Sequence, residues 1–313
     1  MTKPEIRQDY IHDRVVIIAP GRKRRPHDFP PTTIIHQDQG PAQCIFCPPQ
    51  LQDVKALLTI GRGLNWTVKV IKNIYPVVSV GNDKAYGYQE VVIDTPDHNV
   101  EFADLSAEHI ATVIDVFGKR IRALERDAKI KYIMTFKNRG GKAGASIAHA
   151  HSQIFASSFV PPHIIDKRKR AESYQILKGR CYYEDLLVKE QKGSRWIAED
   201  DYFGAIAPYA SSYNYEVWVI PWRHVDNLGN LKAVERLSLA NMLKRLLTRL
   251  SKLGLPYNLF CHQLVNDKNE HFYFRIAPRG DVWAGLELGS RLIVNTVPPE
   301  DAAKFYRGSK KKK

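Results

Sequence analysis

The chain has 313 residues, 44% of them hydrophobic and 26% charged, and no apolar run approaches the ~20 residues that cross a bilayer. This excludes a disordered chain and a helical membrane protein, and it allows one large domain or two of about 150 residues each. Lys and Arg exceed Asp and Glu by 14, a balance that favours anionic partners such as nucleotides, phosphosugars, nucleic acid or an anionic surface. Much of the excess is local, in "GRKRRP" (21–26), "DKRKR" (166–170) and the terminal "GSKKKK" (308–313), and charge runs are commonly solvated. The start, "MTKPEIRQDYIHDR", is polar and charged rather than a secretory leader, so a cytoplasmic location is expected. Four cysteines, Cys44, Cys47, Cys181 and Cys261, are a poor disulfide framework and fit a reduced compartment.

In chain order, "DRVVIIAP" (13–20) reads as a strand stopped by proline, and "CIFCPPQ" (44–50) as a tight Cys-Pro loop. "WTVKVIKN" (66–73) and "QEVVIDTP" (89–96) read as strands. "LSAEHIATVIDVFGKRIRALERD" (105–127) has apolar residues at helical spacing behind Ser106, the signature of an amphipathic helix with a polar N-cap. "IKYIMTFKN" (130–138) is a strand leading into a Gly-rich loop. The second half repeats this grammar: strand, polar turn and strand over 202–228, a long amphipathic helix over 231–254, then strands at 257–264 and 271–279. Each half therefore reads as strand–strand–helix–strand–strand, an internal duplication of an α+β unit. The expected division is an N-terminal half (1–165), a helix-then-loop connector (166–200) and a C-terminal half (201–313).

The stretch "NRGGKAGASIAHAHSQIFAS" (138–157) carries the chemistry. His149, His151 and Gln153 sit two apart, the period of a strand, so a strand over 147–156 would project all three on one face. Taken singly, a histidine there is a solvated strand residue. A triplet behind a Gly-rich loop, whose backbone N–H groups can cradle phosphate, points to a site. A neutral imidazole is a good nucleophile toward phosphorus, and an adjacent amide can donate to a phosphoryl oxygen as charge builds there. Cys44 and Cys47 form a C-x-x-C knuckle, which binds zinc when two further ligands join it. Cys44, Cys47, His98 and His149 make one such set, and a redox pair or incidental spacing is the other reading.

Together these residues resemble the galactose-1-phosphate uridylyltransferase family, the transferase branch of the histidine-triad superfamily, whose motif is His-x-His-x-Gln. The resemblance extends over "DRVVIIAPGRKRRP", "CIFCP", "KNIYP", "TPDHN", "WAGLELGS" and "VNTVPPEDAAKF". It implies an α+β fold of duplicated histidine-triad-like units, antiparallel sheets with long amphipathic helices. It also implies ping-pong uridylyl transfer between UDP-glucose and a hexose 1-phosphate in galactose metabolism. In that scheme His151 is the nucleophile and Gln153 contacts the transferred phosphoryl. Cys44, Cys47, His98 and His149 would hold one zinc. Arg22 and Arg25 would meet phosphates, Asn73 the nucleoside, and Asn138 and Ser146 the phosphates. Glu287 would contact the hexose, across a homodimer interface.

Two departures from the family stand out. Ala150 replaces the usual proline between the histidines. The family's second metal site falls on Lys167, His262, Tyr273 and Arg275, two of them cations, so that second metal is expected to be absent. His224 and His271 then read as ordinary strand-end histidines, and Cys181 and Cys261 as structural thiols. Two alternative activities remain, beside a degenerate, inactive transferase suggested by the lost second metal site. One is a sibling adenylyl transferase, either an ADP-sugar phosphorylase or a diadenosine polyphosphate phosphorylase. The other is a basic nucleotide- or nucleic-acid-binding protein with a structural zinc, weakened by the lack of aromatics interleaved with the basic clusters.

Overall fold

The computed structural model describes residues 3–24, 40–63 and 65–308. Arg25 and the terminal lysines 310–313 lie outside the described residues. The centre of the molecule is a ten-stranded sheet in which every neighbouring pair is antiparallel. A small sheet stands beside it. Its strands are β1 (Glu5–Gln8), β2 (Val15–Ile18) and a late strand, Ile293–Asn295, which runs parallel to β2.

The first half supplies β3 (Leu58–Arg62), β4 (Asn65–Lys72), β5 (Gly87–Ile93), helix α1 (Ala107–Leu124), β6 (Tyr132–Arg139) and β7 (His151–Ser157). Two helices follow, α2 (Pro162–Lys178) and α3 (Tyr182–Gln191). The second half supplies β8 (Trp196–Glu199), β9 (Phe203–Ile206), β10 (Val217–Pro221), helix α4 (Ala233–Ser251), β11 (Tyr257–Leu264) and β12 (Phe274–Pro278). The chain closes through α5 (Gly285–Ser290), β13 (Ile293–Asn295) and α6 (Pro299–Arg307). The sheet order is β3-β4-β5-β7-β6-β11-β12-β10-β9-β8. Both halves thus lay down one pattern, run in opposite directions from the central β6–β11 seam. That seam pairs eight residues from Tyr132↔Leu264 to Arg139↔Tyr257.

The helices form where the apolar period demands. In α1, Ile110, Val113, Ile114, Phe117 and Ile121 are buried, and the Ser106 hydroxyl accepts from His109 N–H at 3.1 Å to cap the first turn. In α4, Leu239, Leu243, Leu246, Leu247 and Leu250 play the same part. The two helices pack on each other and on one face of the great sheet, meeting Val92, Ile133, Ile154, Val219 and Ile276. Burying each such side chain contributes about 1.5–3 kcal/mol. The opposite face is left for the site in the first half, and α3 packs on it in the second through Tyr183, Leu186 and Leu187.

Three expectations need correction. The connector is not helix then loop: Gly179, at φ +68°, ends α2 and a second helix, α3, follows at once. β1, β3, β8 and β13 are additional strands; in β3 the period-two apolar signal is broken by Gly61 and the strand is bulged there. The strand expected over 147–156 begins only at His151, and His149 sits in the bend before it. Pairing with β5 persists one step further, through Asp94 N–H to Ala150 O at 3.1 Å, but His149 is turned aside toward the cysteine knuckle.

Candidate active site

The knuckle is built locally. Cys47 N–H donates to Cys44 O at 3.1 Å, closing the turn, and Pro48 starts a short 3-10 turn behind it. Cys44, Cys47, His98 and His149 are all buried, and their ligand atoms lie within 4.8 Å of one another. His149 Nδ1 is 3.6 Å from both sulfurs, and His98 Nδ1 is 3.4 Å from Cys47 Sγ. Metal–sulfur and metal–nitrogen bonds of about 2.3 and 2.0 Å at a tetrahedral angle separate S from N by about 3.5 Å, so the set fits a tetrahedral ion. The Nε2 of His149 faces Thr95 O at 2.8 Å, which orients the ring with Nδ1 toward the thiols. Burial pushes the His149 pKa down, favouring the neutral imidazole a metal needs.

His151 opens β7 on the sheet face away from α1 and α4. Its Nδ1 lies 2.8 Å from the carbonyl oxygen of His149, an acceptor only, so Nδ1 carries the proton and Nε2 the lone pair. Burial, then the nearby Lys137 ammonium, depresses its pKa and keeps the ring neutral. Phe46, inside the knuckle, packs on the His151 ring at 5.1 Å between centroids. The cysteine loop thus also forms a wall against the imidazole.

Gln153 follows on the same face. Its Oε1 accepts from Gln89 Nε2 at 2.8 Å, leaving its own amino group as the donor. The Gly-rich loop turns sharply where Gly140 (φ +85°) and Gly144 (φ +87°) take conformations that other residues rarely adopt. Asn258 from β11 pins that loop, donating to Asn138 Oδ1 at 2.8 Å and to Ala143 O at 2.7 Å. Asn138 and Ser146 flank this loop, with Ser146 exposed. Asn73 is half-buried where β4 ends, and its N–H donates to Gln89 O at 3.0 Å.

The other named residues lie elsewhere. Arg22 is exposed on the Pro20–Arg24 turn. Glu287 is on α5, where its carboxylate accepts from Ala284 N–H at 2.9 Å. Among the described residues no hydrogen bond or ion pair joins either to His151 or Gln153.

The second half holds a cluster that the sequence reading missed. Cys181, Glu184, His224 and His271 bring their ligand atoms within 4.8 Å of one another. Cys181 is therefore not a thiol without partners: its sulfur is 3.3 Å from His271 Nδ1. The cluster echoes the first. His271 Nε2 faces Pro221 O at 3.1 Å, as His149 faces Thr95 O. The rings of His224 and His271 meet edge-on at 5.2 Å, as those of His98 and His149 do at 5.4 Å. Cys181-x-x-Glu184 stands where the first half has Cys44-x-x-Cys47, and the signal was hidden because glutamate replaces the second thiol. Of the four positions Lys167, His262, Tyr273 and Arg275, the two cationic ones are held in ion pairs. Lys167 Nζ is 2.6 Å from Glu270, and Arg275 Nε is 2.6 Å from Glu216.

A family model for galactose-1-phosphate uridyl transferase, N-terminal domain, matches residues 72–161. The chain is 30% identical to the ADP-glucose phosphorylase of Arabidopsis thaliana, with 97% of this chain and 92% of that protein covered. It is also 30% identical to the galactose-1-phosphate uridylyltransferase of Thermotoga maritima, with 72% of this chain and 75% of that protein covered. The solved structure of an Arabidopsis ADP-glucose phosphorylase with bound ADP-glucose superposes with a TM-score of 0.88 at 30% identity, covering 99% of this chain and 100% of that one. Fold, motif and full-length similarity agree: the chain belongs to the galactose-1-phosphate uridylyltransferase family of nucleotidyltransferases.

Proposed function

We propose that the protein transfers a nucleotidyl group from a nucleoside diphosphate sugar through a covalent histidine, with an ADP-sugar as the donor and inorganic phosphate as the acceptor. One observation carries the mechanism: His151 is fixed with Nε2 as its lone-pair nitrogen, on the face that also presents the Gln153 amide. The Nε2 lone pair forms a bond to the α-phosphorus, and the sugar 1-phosphate leaves with the electron pair of the broken P–O bond. Gln153 donates to the phosphoryl oxygen as charge grows there. Phosphate then attacks the nucleotidyl-histidine, releasing the nucleoside diphosphate and restoring the imidazole.

Similarity along nearly the whole chain to the Arabidopsis enzyme supports the adenine reading. Uridylyl transfer from UDP-glucose to a hexose 1-phosphate is the second reading, supported by the match over 72–161 and by the Thermotoga relative. Cys44, Cys47, His98 and His149 would hold zinc, whose contribution is to lock the bend before the nucleophile. The second cluster would hold a further ion in a structural role. Exposed Val282, Leu286 and Leu288 beside Glu287 suit burial against a second copy, so a homodimer completes the proposal.

Intact mass spectrometry after mixing with ADP-glucose or UDP-glucose tests it. An AMP-sized adduct on the wild type, removed by phosphate and absent from His151→Ala, is expected. A UMP-sized adduct discharged by hexose 1-phosphate would replace the first reading with the second. No adduct from either sugar nucleotide would overturn both.

A further inference from the structure

We propose that Gln89 is a positioning residue that sets which end of the Gln153 amide faces the transferred phosphoryl group; this rests on the nucleotidyl-transfer reading of His151 and Gln153. A carboxamide has two nearly isosteric ends. Its nitrogen stabilises growing phosphoryl charge, and its oxygen repels it. Something must choose between them.

The choice is made by a chain of one-way hydrogen bonds. Val77 N–H donates to Gln89 Oε1 at 2.9 Å. A backbone N–H can only donate, so this bond fixes Gln89 with its oxygen toward the 73–86 loop and its nitrogen toward β7. Gln89 Nε2 then donates to Gln153 Oε1 at 2.8 Å. That second bond occupies the Gln153 oxygen and turns its amino group outward. Polarity fixed by the main chain at Val77 is thus passed through two side chains to the site.

The sheet makes the reach possible. Gln89 lies opposite Phe155 and Val91 opposite Gln153, so the two glutamines are diagonal neighbours on one face. The loop that supplies Val77 is itself held. Asn73 N–H donates to Gln89 O at 3.0 Å, Tyr75 N–H to Asn73 Oδ1 at 2.8 Å, and Ser79 N–H to Ala85 O at 3.0 Å. Gln89 therefore binds the Asn73–Ala85 loop through both its main chain and its side chain. Nothing in the local sequence marks it, because "GYQEVVI" reads as an ordinary strand.

The test uses single-turnover formation of the nucleotidyl adduct from ADP-glucose or UDP-glucose, whichever labels the wild type. Gln89→Glu still accepts from Val77 N–H but can no longer donate to Gln153. The Gln153 amide must turn over to meet the carboxylate, leaving its oxygen toward the phosphoryl group. Adduct formation is expected to slow about 100-fold, the scale of losing one preorganised donor, with KM little changed. A carboxylate also adds charge, so the neutral Gln89→Leu is the second arm. At saturating sugar nucleotide it should slow the reaction in the wild-type background and cause no further loss in Gln153→Ala, since the rate effect of Gln89 runs through Gln153 while its hold on the Asn73–Ala85 loop bears on nucleotide binding. A wild-type rate in Gln89→Glu, or an undiminished Gln89→Leu effect in Gln153→Ala, would overturn the assignment. Because Gln89 is half-buried, melting temperatures should stay close to wild type in every variant. A wild type that forms no adduct fails before any variant is compared, and that result removes the transfer reading together with the role of Gln89.

Discussion

The side-chain nitrogen of Lys137 lies 3.0 Å from the main-chain oxygen of His151. The pairing of β6 with β7 ends at Phe136↔Gln153, while β6 continues on β11 to Arg139 and β7 continues on β5 to His151. The two strands therefore part beside His151, and the ammonium bridges the gap. It is itself held by Asp94 Oδ2 at 2.9 Å, which also accepts from Ser152 Oγ at 3.1 Å.

Lys137→Met should cost about 3–5 kcal/mol of stability, because it strands a buried carboxylate. The double variant Lys137→Met/Asp94→Asn should recover much of that loss, since no unpaired charge remains. Urea unfolding measures both. Equal stability of the single variant and the wild type would show that the pair is not formed in solution.

Metal content should separate the two clusters. Protein prepared with excess zinc should carry two equivalents, falling to one in Cys44→Ser and to one in Cys181→Ser. The second cluster offers one thiolate and one carboxylate where the first offers two thiolates, so a chelator should strip it first. Glu184→Cys should slow that release. A wild type with one equivalent, fully retained in Cys181→Ser, would mean that Cys181, Glu184, His224 and His271 gather without an ion.

Acid should weaken the fold through the N-terminal segment. His12 is buried edge-on to Trp218, with Nδ1 3.2 Å from Asp9 Oδ2. Burial, against the pull of Asp9, pushes its pKa down to about 4. A depressed native pKa means that the unfolded chain binds the proton first. The His12 contribution is therefore complete above the unfolded value near 6.5 and is lost as pH falls toward 4, amounting to about 3 kcal/mol. Unfolding free energies between pH 7 and 4 should fall more gently in His12→Asn than in the wild type. Parallel slopes would rule out His12 as a source of the acid sensitivity.

The sequence by itself determined what repeats locally. The apolar periods of α1 and α4, the Ser106 cap, most strands, the C-x-x-C knuckle and the His-x-His-x-Gln spacing are written in short stretches, because each rests on contacts a few residues apart. Even there it erred by four residues at the start of one strand, since a period-two pattern cannot show that His149 leaves the sheet to face two thiols. Only the tertiary structure decided which distant residues meet. Gln89 and Gln153 are 64 residues apart, Lys137 comes from a different strand than His151, and Cys181 and His271 are separated by 90 residues. Sheet register and helix packing set those pairings. Nothing about a lone Gln89 or Glu184 foretells its partner, because each acquires its chemistry from a neighbour that only the folded sheet supplies.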